Sequence, residues 1–233
     1  MKPKDLDPVL ASSSMRFLII NPNTNPAVTE RIRLATLRCS QPGVTFEVTQ
    51  PKTGPYSIET PQQRELAQNE VLSLIRACDT SQYTSILMAC FDDLAIEEAR
   101  LISKAPVYGT CQLSVEAIMA ITEKFAIVTT VPQAVSGIEA LVRQHGGGNA
   151  FTTYAAGIGV EQAAAADKQT IHKVAATAAS AIRFDGAKAI LLASGGLTGY
   201  VSLLSDTLRI PIIDGVETAI QSLVTKAISQ NSP

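Results

Sequence analysis

The chain is short of several things that would fix its chemistry at once. It has 233 residues and only two histidines, His145 and His172, both in helical or helix-end settings far from any strand end. Both are expected to be surface or capping residues, which leaves no hydrolytic triad and no metal site. There is no excess of positive charge: 19 basic residues stand against 21 acidic ones, a formal net charge of -2. Without a basic field, nucleic acid and anionic membrane surfaces are excluded as partners, and a small-molecule substrate is expected. Cysteine is scarce too. Cys39, Cys78, Cys90 and Cys111 lack the paired short spacings of zinc sites and are too few for a disulfide scaffold, so they read as reduced thiols. No apolar run approaches a membrane span, and residues 1–14 lack the apolar stretch of a signal peptide. The expectation is a cytoplasmic protein with a flexible segment at 1–14.

What the sequence does have is apolar residue in quantity, 46% of the chain, enough for one large domain or two small ones. Short apolar runs at Arg16–Ile20, Val44–Val48, Ser85–Ala89, Phe125–Val128, Ala189–Ala193 and Pro211–Ile213 alternate with helical patterns. That alternation predicts an α/β fold with a largely parallel sheet. Helix starts are marked by Asn25 before Pro26, by Thr60 before Pro61, and by Asp167. An internal echo adds more. Ile86-Leu-Met-Ala-Cys90 resembles Ile190-Leu-Leu-Ala-Ser194, and Ala105-Pro-Val-Tyr-Gly109 follows the first much as Ile210-Pro-Ile-Ile-Asp-Gly215 follows the second. Ile19–Thr24 is loosely mirrored by Ile127–Pro132. The echo predicts two pseudo-symmetric α/β lobes, one of residues 15–112 plus 214–233 and one of residues 113–213. Ligands gather beyond the carboxyl ends of parallel strands, so Cys90 and Ser194 are expected on opposite walls of one cleft.

Cys90 ends a buried run and is followed by Phe91 and Asp92, with a helix start near Ala95. Backbone N–H groups at such a turn favour an anion, so its thiol is expected to ionise more readily than a free one. Cys39 and Cys78 lie within helical patterns, while Cys111 follows a strand-end glycine, a position that leaves it room near the cleft. Asn23 and Thr24 follow the first strand and precede a helix, Thr129 and Thr130 end another, and Ser194-Gly195-Gly196 end a third. Amides, hydroxyls and glycine backbone at such places suit a carbonyl or carboxylate. The same residues also cap helices and make turns, so spacing alone does not separate the two uses.

Taken together, the segments IINPNT (19–24), GPYSIET (54–60), ACFDD (89–93), PVYGTCQ (106–112), KFAIVTT (124–130), FDGAKAILLASGGL (184–197) and IPIIDGVETA (210–219) resemble the hydantoin/allantoin racemases of the aspartate/glutamate/hydantoin racemase superfamily. The resemblance runs from Met15 to about Ile228. It implies a cofactor-independent isomerase, commonly a homo-oligomer, in which one cysteine removes a proton next to a carbonyl and a second delivers one to the opposite face. Cys90 matches the first cysteine; the position of the second holds Ser194. Gln112 stands where the family often has Glu. With a hydroxyl in place of a thiol, several activities stay open: racemisation or epimerisation with Ser194 or a relayed water on the far face, decarboxylation with Cys90 as the single acid, nucleophilic cis-trans isomerisation, or binding without catalysis. The substrate-binding set implied is Asn23, Thr24, Phe91, Asp92, Thr129, Thr130, Gly195 and Gly196, with no cofactor and no metal.

Overall fold

A computed structural model describes residues 14–231, so the N-terminal segment expected to be flexible lies, but for Ser14, outside the described residues. Two four-stranded sheets form, every pairing parallel. The first is built of β1 (Met15–Ile20), β2 (Val44–Thr49), β3 (Ser85–Met88) and β4 (Val107–Gly109), in the order β2-β1-β3-β4. The second has β5 (Phe125–Thr129), β6 (Phe151–Ala155), β7 (Ile190–Leu192) and β8 (Ile212–Asp214), in the matching order β6-β5-β7-β8. Central parallel strands are covered on both faces, which is why they read as unbroken apolar runs. Phe17 to Ile20 and Ala126 to Val128 are accordingly buried without alternation. β6 was absent from the strands expected from the sequence. It lies at the sheet edge, reads Phe-Thr-Thr-Tyr-Ala, and only Phe151 is fully buried.

The capping residues work as their types predict. Asn25 accepts the Ala27 N–H at the start of α1 (Pro26–Arg38), and Thr60 forms a reciprocal cap with Gln63 at the start of α2 (Pro61–Ala77). Asp167 accepts the Thr170 N–H at the start of α7 (Lys168–Asp185). The remaining helices are α3 (Ile96–Ile102), α4 (Thr110–Met119), α5 (Val135–Gln144), α6 (Val160–Ala165), α8 (Val201–Leu204) and α9 (Gly215–Asn231).

Each sheet's last strand is followed by a helix that contributes to the other sheet's core. Cys111, Val115 and Ile118 of α4 pack with Phe125, Ile127 and Leu191 of the second sheet. Val216, Ala219, Ile220 and Leu223 of α9 pack with Phe17, Ile19 and Leu87 of the first. The two helices lie against each other, and the buried Ser114 hydroxyl donates to the Gly215 carbonyl at 2.7 Å where they cross. Hydrophobic burial therefore holds the lobes together as well as filling each one.

Candidate active site

Strand register shows which turns correspond. Met88 pairs with Ile20 and Gly109 in the first sheet, while Leu192 pairs with Val128 and Asp214 in the second. Met88 and Leu192 are therefore equivalent, and two residues beyond them stand Cys90 and Ser194. Both line one cavity between the sheets' carboxyl ends, together with Asn23, Phe91, Asp92, Thr129, Thr130 and Gly195. The apolar part of the wall is Val28, Ile58, Ala89, Val131, Ala134, Ile138, Val160 and Ala193. The cavity between these walls is small, about 40 Å³, with room for only a few water molecules. The walls are close: a Cβ on Gly195 would sit 3.2 Å from Val28 Cγ1 and 3.7 Å from the Ala89 carbonyl oxygen.

Asn23 is oriented by bonds that leave no ambiguity about its amide. Its side-chain oxygen accepts the Asn25 backbone N–H at 2.9 Å and an Asn21 amide N–H at 3.0 Å. A backbone N–H can only donate, so the oxygen is fixed and the Asn23 NH2 is left for a ligand. Thr130 has no side-chain partner among the described residues and offers its hydroxyl to the cavity. Thr129 instead donates to the Ala193 carbonyl at 3.0 Å, tying β5 to the Ser194 turn. The Ser194 oxygen accepts the Gly196 N–H at 3.3 Å, which leaves its own proton free.

The Cys90 thiol departs from expectation. Burial pushes its pKa up, and Asp92 and Asp93 push the same way; the Asp92 N–H and Arg64 act against them and lose. The turn's N–H groups do not gather on the sulfur as supposed. The Asp93 N–H is taken by the Cys90 carbonyl at 3.1 Å, and α3 begins only after Ala95, which is left-handed. Cys90 thus rests as a thiol. Asp92 is itself raised by burial and held against this by Arg64 of α2, whose guanidinium lies 2.8 Å from its carboxylate. Arg64 was not foreseen, since nothing near it in sequence marks it.

Two residues expected at the site do other work. Thr24 does not line the cavity; its hydroxyl and N–H donate to the Pro55 carbonyl at 3.3 and 3.0 Å, holding the segment that carries Ile58. Gly196 is buried away from it, and a Cβ there would meet the Val160 carbonyl at 2.8 Å, so this glycine lets the Ser194 turn pack on α6. Glu59, next to Ile58, accepts the Val160 N–H at 2.9 Å and joins the lobes over the cavity. Cys111 is fully buried in the second core and does not line the cavity. His172 is exposed, whereas His145 caps the end of α5, is part-buried, and has its Nε2 3.3 Å from Asp93 Oδ2.

The model of the family described as Asp/Glu/Hydantoin racemase matches residues 17–223. A hydantoin racemase of Paenarthrobacter aurescens is 28% identical over 207 residues, 88% of each chain. One of Rhizobium meliloti is 28% identical over 212 residues, 89% of this chain and 86% of that one. Among solved structures, allantoin racemase from Klebsiella pneumoniae superposes with a TM-score of 0.87 at 29% identity, covering 93% of this chain and 89% of that chain.

Proposed function

This chain belongs to the Asp/Glu/Hydantoin racemase family, and from that premise we propose that it is a cofactor-independent isomerase that moves a proton at the acidic carbon beside a carbonyl in a neutral, hydantoin-like ring. The observation that carries the proposal is the placement of Cys90 and Ser194, equivalent by strand register, on the two walls of one cavity. Relatives named as hydantoin and allantoin racemases support the substrate class.

The wall explains the preference for a neutral ring over a free amino acid. Among the described residues no lysine or arginine lines it, and its one carboxylic acid, Asp92, already has Arg64 as a partner. A substrate carboxylate would meet no cation there, whereas imide carbonyls would meet the Asn23 amide and the Thr130 hydroxyl. Donors placed on the carbonyl next to the reacting carbon stabilise the developing enolate, and much of the rate comes from that. Cys90 gives or takes the proton on its face: once the resting thiol has lost its own proton to solvent, the thiolate takes the substrate proton as the C–H pair of electrons moves toward the carbonyl, and the step reverses on reprotonation. On the other face Ser194, with no histidine near it to act as its base, relays a proton slowly, directly or through a water.

Proton NMR of a panel of hydantoins, allantoin, amino acids and arylmalonates in D2O tests this directly, with the native protein and with Cys90→Ala. The expected result is loss of the α-proton signal from ring substrates and only with Cys90 present. Exchange that persists in Cys90→Ala, or that occurs with amino acids and not with rings, overturns the assignment. Release of CO2 from a malonate-type acid would instead mark Cys90 as a single-face proton donor, the reading that its resting thiol form also suits.

A further inference from the structure

Away from the cavity, three side chains of different chemistry converge where the lobes join. They are the Asp93 carboxylate from the turn after β3, the Cys111 thiol from the first turn of α4, and the His145 imidazole at the end of α5. Their ligating atoms all lie within 4.8 Å of one another. We propose that this cluster binds a thiophilic divalent cation of the zinc type, independently of the chemistry at Cys90.

The donor set is the first reason. Sulfur, imidazole nitrogen and carboxylate oxygen together select borderline-soft cations over calcium or magnesium, which take oxygen alone. Geometry is the second: the 3.3 Å between Asp93 Oδ2 and His145 Nε2 is the edge of a tetrahedron whose metal bonds are about 2.0 Å. Third, the carboxylate is held in place before any ligand arrives. Asp93 has a φ of 45°, and its two oxygens accept the Cys111 and Gln112 N–H groups at 2.8 and 3.0 Å. Its carboxyl carbon lies only 2.2 Å from where a Cβ on Gly109 would be, so the position exists only because residue 109 is glycine. Backbone N–H groups that orient a carboxylate in this way are the outer shell that metal sites use.

Solvent reaches the cluster through a groove lined by Asp93, Gln112, Gln144 and His145, from which a water can supply the fourth ligand. Cys111 stands on the inner side, fully buried. On binding, its thiol proton leaves to solvent as the sulfur–metal bond forms, with no change of oxidation state. The bound ion would join the turn that carries Cys90 to the helix end of the opposite lobe.

The test is titration of the full chain with cobalt(II), whose thiolate complexes are coloured. One equivalent should bind with a sulfur-to-cobalt charge-transfer absorption and the intense visible bands of a tetrahedral site. Cys111→Ser should abolish the charge-transfer band, His145→Ala should weaken binding about tenfold or more, and Cys90→Ala should leave both unchanged. No such band in the native chain, a band that survives Cys111→Ser, or one that disappears in Cys90→Ala overturns the proposal. If Cys111→Ser does not fold, His145→Ala decides alone, and an unchanged cobalt affinity there refutes it.

Discussion

The turn after β3 and the turn after β7 hold the same place in sheets of the same order, but they are equipped differently. The first carries a thiol followed by two carboxylates, Asp92 and Asp93, and uses two left-handed residues, Asp93 and Ala95. The second carries a hydroxyl followed by two glycines in a single short turn. A second pair of equivalent positions is more instructive. By register Gly109 corresponds to Asp214, and each is followed by a helix whose N–H groups at the second and third residues onward are capped by a carboxylate. At the end of β8 in the second sheet Asp214 itself accepts from Val216 and Glu217, at 3.0 and 3.1 Å. In the first lobe the strand position is bare, and Asp93 reaches over from the neighbouring turn to accept from Cys111 and Gln112. The two lobes share the demand for an anion at a helix start, and they meet it from different elements. The symmetry therefore belongs to the backbone, and chemical groups are free to diverge on it.

Removing the two facing groups should show the divergence at its largest. Cys90→Ala should lower exchange by about 10³-fold or more, while Ser194→Ala should cost only severalfold, because a positioned acid or base is worth about 10²–10⁴ and only the thiol is a good one. Equal losses in steady-state assays of the two variants would mean that the hydroxyl is as well activated as the thiol.

The Asp214 carboxyl at the end of β8 sets up a pH effect that has no counterpart at Gly109. Burial pushes its pKa up to about 6, against three backbone N–H donors that include Gly199 at 2.6 Å. The folded state then holds this proton more tightly than the unfolded chain does. Its contribution to stability is full below about pH 4 and is lost as pH rises through about 6, a change on the order of 3 kcal/mol. Urea denaturation from pH 4 to 7 should show the native chain losing stability relative to Asp214→Asn. A difference that stays flat across that range would contradict the assignment.

The capping arrangement can be exchanged between lobes. Gly109→Asp places a carboxylate where Asp93 already sits, and Asp93→Gly strips the cap from α4; each should destabilise by about 1–3 kcal/mol. The double variant should recover much of that loss, since it rebuilds in the first lobe the arrangement seen at Asp214. Additive losses in thermal denaturation would show that Asp93 does more than cap. The smallest effect is expected of Arg64→Gln: Asp92 loses its partner, the Cys90 thiol is pushed further up, and the pH–rate profile should move to the alkaline side with a severalfold loss at neutral pH.

Sequence carried the fold far because buried parallel strands advertise themselves. Runs such as Phe17–Ile20 and Ile190–Leu192 need no alternation when both faces are covered, and the edge strand Phe151–Ala155, half exposed, gave no such signal. Cys90 and Ser194 were legible because the strand echo places them in register. What the sequence could not display was anything made by contact across the lobes. Ile58 and Val160 reach the cavity, and Arg64 reaches Asp92 behind its wall, from helices and a connecting segment with no local mark of it, and the meeting of Asp93 with His145 depends on how the two lobes are joined. The direction of the Cys90 pKa failed for the same reason. Local turn geometry predicts N–H donors, but desolvation depends on everything packed around the thiol.

If the two equivalent faces carry unequal proton-transfer groups, the rates of exchange and inversion of one substrate measure that inequality. Each pure enantiomer of a small hydantoin, in D2O, would be followed by NMR for deuterium uptake and by polarimetry for inversion. One enantiomer should take up deuterium with retention many times faster than it inverts, and Ser194→Cys should bring the two rates together by raising inversion about tenfold or more. Equal exchange and inversion for both enantiomers in the native protein, unchanged by Ser194→Cys, would contradict the account.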